Sequence, residues 1–151
     1  MRINKLPLEG TFVIEPEPFT DDRGSFTRVF CKQELQSILE GKNIVQINHS
    51  LTRQKGAIRG MHFQYPPKAE AKMVKCMHDS VFDVIIDLRQ GSSTFLKWHG
   101  EILSAENMKM LYIPEGFAHG FQTLEENCVL LYLHTEFYSP EYEGPSASMI
   151  L

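Results

Sequence analysis

Apolar and polar residues alternate with period two along most of the chain, the signature of half-buried strands rather than of amphipathic helices. The alternation runs through Ser25–Phe30, Ile44–Ser50, Ala57–Gln64, Ala71–Met77, Ser80–Leu88, Phe95–Leu103, Lys109–Ile113, Ala118–Leu124 and Cys128–Phe137. Turn-forming clusters separate these stretches: Asp22-Arg23-Gly24, Tyr65-Pro66-Pro67, Arg89-Gln90-Gly91 and Pro114-Glu115-Gly116. One helix is expected over Lys32–Glu40, where Leu35, Ile38 and Leu39 form an apolar stripe. Many short strands at close spacing predict an all-β domain over residues 1–151, a double-sheet jelly roll with one or two short helices. No internal repeat, low-complexity tract or linker breaks the pattern.

Composition narrows the function classes. With 42% hydrophobic and 11% aromatic residues the chain reads as a soluble globular protein, and no apolar run approaches the ~20 residues of a membrane span. Its start, Met1-Arg2-Ile3-Asn4-Lys5-Leu6-Pro7, lacks the apolar core of a secretion signal. A net charge of -4 argues against nucleic acid as a partner, which needs a basic footprint. It leaves an anionic small molecule open, because the charge of a pocket is local. Cys31, Cys76 and Cys128 are odd in number and widely spaced, so they predict reduced, mostly buried thiols in a cytoplasmic protein. Cys76 alternates with Lys72 and Val74, which would let it line a pocket wall.

Two stretches carry the candidate chemistry: Arg59-Gly60-Met61-His62-Phe63-Gln64 and Pro114-Glu115-Gly116-Phe117-Ala118-His119-Gly120-Phe121. The second has the Pro-x-Gly-x-x-His shape of a cupin barrel's second motif. The first resembles the first cupin motif in position but lacks its metal-binding His-x-His pair. His49, His78, His99 and His134 have no such spacing either, so neither a metal nor a cofactor is expected. Strand alternation puts His62 on a face with Gly60 and Gln64, Lys72 with Val74 and Cys76, and Tyr132 with Leu130 and His134. Faces that all point inward would bring His62, Lys72, His119 and Tyr132 into one cavity.

Such a set can invert a carbon beside a ketone. Histidine, with an unperturbed pKa near ~6.5, serves as base at neutral pH. A lysine ammonium stabilises the enolate oxygen, and a tyrosine donates a proton from the other side. Each residue also has a structural reading. His62 would be a hydrogen-bonded strand residue, Tyr132 a core ring with its hydroxyl satisfied, and Lys72 an ammonium paired with Asp83 or Asp87. Singly, the structural reading is favoured for His62 and Tyr132; together, the catalytic one gains.

From Phe12 to Glu143 the chain resembles the dTDP-4-dehydrorhamnose 3,5-epimerases, also called dTDP-4-keto-6-deoxyglucose epimerases. The resemblance rests on Phe19-Thr20-Asp21-Asp22-Arg23-Gly24, Gln46-Ile47-Asn48-His49-Ser50, Ile58 to Gln64, Val81 to Arg89, Leu103 to Asn107, Ile113 to Phe121 and Tyr138-Ser139-Pro140-Glu141. It implies a cupin-type jelly roll, a homodimer, and inversion of C3, C5 or both in a nucleotide-linked 4-keto-6-deoxy sugar. The setting it implies is bacterial polysaccharide or deoxysugar biosynthesis. By resemblance His62 is the base, Tyr132 the proton donor and Lys72 the lysine beside the keto oxygen. Arg23, Arg59 and His119 match positions that hold the nucleotide diphosphate and sugar, Gln46, Asn48 and Glu143 further ligand contacts, and Tyr138 the ring that stacks on the base.

Two departures shape the expectations. Arg28 stands where the family has a glutamate that helps hold the nucleotide, so the reversed charge predicts a nucleotide or nucleotide-sugar other than dTDP. The family also continues past Glu143 with a tail whose aspartate orients the catalytic histidine. Gly144-Pro145-Ser146-Ala147-Ser148-Met149-Ile150-Leu151 lacks that segment, which predicts lowered activity, a replacement group or a changed reaction. The alternatives to an epimerase are a nucleotide-sugar-binding homologue without catalysis and a metal-dependent cupin oxygenase or isomerase.

Overall fold

The computed structural model describes residues 1–144; residues 145–151, on which the expectation about the aspartate tail falls, lie outside the described residues. In chain order the strands are β1 (Arg2–Lys5), β2 (Phe12–Glu15), β3 (Phe19–Asp21), β4 (Gly24–Phe26), β5 (Gln46–Thr52), β6 (Ile58–His62), β7 (Lys72–His78), β8 (Ser80–Asp87), β9 (Trp98–Ser104), β10 (Met110–Ile113), β11 (Phe117–Thr123) and β12 (Cys128–His134). One short helix, α1 (Gln36–Leu39), precedes β5, and a 3-10 turn spans Pro140–Tyr142. A six-stranded sheet is ordered β1-β2-β10-β7-β12-β5, and a four-stranded sheet β6-β11-β8-β9. Both sheets are antiparallel throughout, and together they form the cupin-type jelly roll.

Two apolar clusters hold the layers. Val74, Cys76, Leu111 and Leu130 from the six-stranded sheet meet Val81, Ile85, Leu103, Phe117 and Phe121 from the four-stranded one. On the outer face of the larger sheet, Leu35, Ile38 and Leu39 pack against Ile14, Met73, Met110 and Leu133. This second layer explains why β7 is buried on both faces from Lys72 to Cys76, whereas β8 alternates buried and half-buried along its length. Burying these side chains is worth about 1.5–3 kcal/mol each.

The predicted strands form, with ends shifted by one to three residues in most cases. The strand expected at Ser25–Phe30 is confined to Gly24–Phe26, half of a small hairpin with β3. Residues of that hairpin are exposed throughout, so no buried face extends it. The helix keeps its apolar stripe but has regular α geometry only over Gln36–Leu39, with no side-chain cap at its start and Glu40 left-handed at its end. β1, β2 and β3 were not anticipated: at three or four residues each, they are too short for alternation to register. No helix among the described residues is long and apolar enough to cross a membrane.

Candidate active site

Between the sheets, toward one end, lies a cavity of about 250 Å³. Its first wall comes from the six-stranded sheet: Asn48 and Ser50 from β5, Lys72 from β7, Tyr132 and His134 from β12, with Glu70 just ahead of β7. The second comes from the four-stranded sheet: Arg59 and His62 from β6, His119 and Phe121 from β11. Phe63, Gln64, Tyr138 and Glu143 close the rim. Period-two geometry produces both walls, since Tyr132 and His134, or Asn48 and Ser50, are two apart and share a face.

Gly60 and Gly120 set the second wall. Gly60 has φ +125°, and a Cβ there would meet the Cα of Gly120 at 2.5 Å and the carbonyl oxygen of His119 at 2.9 Å. A Cβ on Gly120 would meet the Arg59 carbonyl oxygen at 2.8 Å. The two strands therefore approach closely, which brings His62 directly opposite His119 in the register.

Each candidate group has an identifiable partner. The Oε1 of Glu143 is 3.2 Å from His62 Nδ1, and its Oε2 accepts a hydrogen bond from the Tyr138 hydroxyl at 2.8 Å. That acceptor bond holds the Tyr138 phenol above its ordinary pKa. With Nδ1 facing a carboxylate, the other ring nitrogen of His62 is free for a substrate proton. His119 is buried, its Nε2 at 2.9 and 3.0 Å from the carboxylate of Asp83. The Tyr132 hydroxyl lies 3.1 Å from Ser50 Oγ, and burial pushes its pKa up to about 12. Arg59 donates from Nε to Thr52 Oγ1 at 2.8 Å and has no carboxylate partner among the described residues.

Lys72 is the most buried cation of the site, with its side chain 7% exposed, and its Nζ lies 2.9 Å from Glu70 Oε1. The expected pairing with Asp83 or Asp87 does not occur: Asp83 faces His119, and Asp87 takes Arg89, Ser92 and Thr94. Cys76 also departs from expectation. It is fully buried in the apolar cluster, not on the cavity wall, and burial raises its thiol to about 11. Cys31, Cys76 and Cys128 are all free thiols.

Of the sequence candidates, His62, Lys72, Tyr132, Asn48, Arg59, His119, Tyr138 and Glu143 line the cavity. Gln46 sits just behind the rim, where its Oε1 accepts from the Tyr138 backbone N–H at 3.2 Å. Arg23 and Arg28 stand outside. Arg23 folds back on Asp21 of its own hairpin, and Arg28 pairs with Glu34. Glu70 and His134 line the cavity without having been singled out, although His134 shares a face with Tyr132 and Glu70 precedes Lys72 by two. Among the described residues no group of three or more His, Cys, Asp or Glu is arranged to hold a metal ion.

Comparison with known proteins shows the family. The dTDP-4-dehydrorhamnose 3,5-epimerase family profile matches residues 5–147. The dTDP-4-dehydrorhamnose 3,5-epimerase of Salmonella typhimurium is 43% identical over 145 residues, covering 95% of this chain and 79% of its own. The crystal structure of the Bacillus anthracis dTDP-4-dehydrorhamnose 3,5-epimerase with TDP and PPi bound superposes with a TM-score of 0.91 at 40% identity, covering 95% of this chain and 82% of that one. A Legionella pneumophila dTDP-6-deoxy-D-glucose-3,5-epimerase in complex with dTDP-4-keto-L-rhamnose gives 0.88 at 38% identity, covering 94% and 75%. This chain belongs to the dTDP-4-dehydrorhamnose 3,5-epimerase family.

Proposed function

We propose that this protein is an epimerase of deoxysugar biosynthesis, inverting C3 and C5 of a dTDP-linked 4-keto-6-deoxy sugar by proton abstraction and reprotonation. One arrangement carries the reading: His62 rises from the four-stranded sheet, Tyr132 from the six-stranded sheet, and both line the same cavity. Opposed groups of this kind suit inversion, because the proton leaves one face of the ring and returns to the other.

His62 takes the proton beside the ketone through Nε2, while Glu143 on Nδ1 fixes the ring and stabilises the imidazolium. The released electron pair moves onto the C4 oxygen, where the Lys72 ammonium donates a hydrogen bond to the enolate. Tyr132, its pKa near 12, is fully protonated at neutral pH and delivers a proton to the opposite face. Solvent exchange then returns a proton to the phenolate and removes one from the imidazolium. The ketone itself acidifies the C–H bond, so the cycle needs no cofactor.

Arg59 is the diphosphate ligand of this reading, since its guanidinium has no competing carboxylate among the described residues. Exposed Tyr138 offers a ring to the base. The relatives with TDP or a dTDP-sugar bound support dTDP as the nucleotide, and Glu34 already pairs with the Arg28 charge that suggested another.

The reading includes a homodimer. Phe19 and Phe26, 73% and 78% exposed, crown the hairpin that carries Arg23, and Ile47 and Leu51 are exposed on the edge strand β5. A second copy covers such apolar surface and brings Arg23 to the cavity of its partner. A single-chain mass at sedimentation equilibrium would contradict this part. The three free thiols support a cytoplasmic location. The epimerase reading is tested by deuterium uptake from heavy water at the carbons flanking the ketone.

A further inference from the structure

The cavity wall beside Tyr132 holds a chain of polar contacts of which the reaction above uses only Lys72. Lys72 Nζ lies 2.9 Å from Glu70 Oε1, His134 Nδ1 lies 2.7 Å from Glu70 Oε2, and Asn48 Nδ2 lies 3.4 Å from His134 Nε2. Glu70, Lys72 and His134 have side chains only 9%, 7% and 12% exposed. All four residues face the cavity.

The chemistry of these groups fixes the direction of both contacts at Glu70. An ammonium only donates and a carboxylate only accepts, so Glu70 receives both Lys72 and the Nδ1–H of His134. The Asn48 amide faces His134 Nε2, the ring nitrogen turned away from Glu70. Each oxygen of Glu70 is then satisfied. Burial pushes the Glu70 carboxyl up, but the His134 hydrogen bond and the Lys72 charge outweigh it and hold the group below its ordinary range.

We propose that His134, through Glu70, is a positioning residue: it ties the ammonium of Lys72 to the amide of Asn48 and so sets the spacing of two groups that line the cavity. The catalytic consequence rests on the epimerase reading; the linkage itself does not. Lys72 has one acceptor among the described residues, so its remaining N–H bonds are free for the enolate oxygen, and Glu70 fixes their direction. A His134 ring that carries hydrogen on both nitrogens needs an acceptor at Nε2, so the Asn48 amide must then present its oxygen there. The second hydrogen adds a positive charge beside the Lys72–Glu70 pair, whose own charges cancel.

Other charged groups facing this wall are few. Tyr132 stacks on His134 at 6.1 Å between ring centroids, and Arg59, His62, His119 and Glu143 lie on the other wall and rim. Glu136, paired with Lys68, is close enough to feel the charge of Glu70.

The test joins nuclear magnetic resonance of the whole protein without substrate to exchange kinetics with dTDP-4-keto-6-deoxyglucose. Nitrogen shifts of labelled histidine are expected to show a hydrogen on Nδ1 of His134, facing Glu70. As pH falls, the side-chain signals of Lys72 and Asn48 should move with the midpoint of His134, and Glu70→Gln should abolish the Lys72 response. His134→Ala should lower kcat for exchange roughly tenfold while changing KM less than threefold. His134→Asn, whose amide can replace the Nδ1 donor, should recover most of that rate and leave the Lys72 signal without its pH response. An Nε2–H tautomer, a Lys72 signal blind to His134, or a wild-type kcat in His134→Ala overturns the proposal. Wild-type protein that exchanges no deuterium refutes the epimerase reading instead, and the coupled titration still decides the linkage.

Discussion

Glu143 and His62 meet across the rim of the cavity, carboxylate oxygen to ring nitrogen at 3.2 Å. The second oxygen of Glu143 holds the Tyr138 hydroxyl, so one side chain links the proposed base to the proposed nucleobase platform. A carboxylate on Nδ1 selects the tautomer with a free Nε2 and favours the charged imidazole that follows proton abstraction. Glu143→Gln should therefore lower the deuterium exchange rate by roughly 10–100-fold, with little change in thermal stability. An unchanged rate would remove Glu143 from the orientation of His62.

Tyr132→Phe separates the two halves of the reaction. The ring keeps its packing while the hydroxyl near Ser50 is lost. Net inversion should fall by about 10²–10⁴-fold, the range for removing a positioned acid, while His62-driven exchange survives in part. Equal loss of exchange and inversion would assign Tyr132 to enolisation itself.

Arg59→Ala should weaken dTDP binding by about 10–100-fold, corresponding to the roughly 1.5–3 kcal/mol of a hydrogen bond to a charged group. Calorimetric titrations with dTDP, CDP and GDP should rank dTDP first. CDP or GDP binding more tightly would restore the expectation drawn from Arg28.

Stability has its own acid-sensitive group outside the cavity. Asp87 is fully buried and accepts from Arg89, Ser92 and Thr94 at 2.6–2.9 Å. Burial pushes its carboxyl up, but these donors hold it well below the ordinary 3.8. A depressed folded pKa stabilises the protein above the unfolded value and loses that contribution as pH falls below it. Asp87→Asn should cost about 3 kcal/mol at pH 7, and the gap to wild type should narrow steadily below about pH 4. A gap independent of pH would mean that the charge of Asp87 is not what stabilises this loop.

The alternation of single strands makes much of the cavity legible in the sequence. His62, Lys72 and Tyr132 reach it because the inward face of a strand recurs every second residue. Pairing was less legible, because partners across sheets depend on register and loop path. Lys72 therefore met Glu70, two residues away in the chain, rather than Asp83 or Asp87. His134 lay on the predicted face of Tyr132, yet a single histidine with no recognisable spacing gave no reason to weigh it. Arg23 and Arg28 show a different limit: an exposed hairpin has no buried face, and nothing in its pattern says where its cations reach.

The most direct measurement of the central claim is proton spectroscopy of dTDP-4-keto-6-deoxyglucose in deuterium oxide, with wild-type protein and with His62→Ala. Loss of the C3 and C5 proton signals with wild type, and their persistence with His62→Ala, is the expected result. Undiminished exchange in His62→Ala would remove His62 as the base. Tight dTDP binding by wild type without any exchange would contradict the epimerase reading and leave a nucleotide-sugar-binding protein.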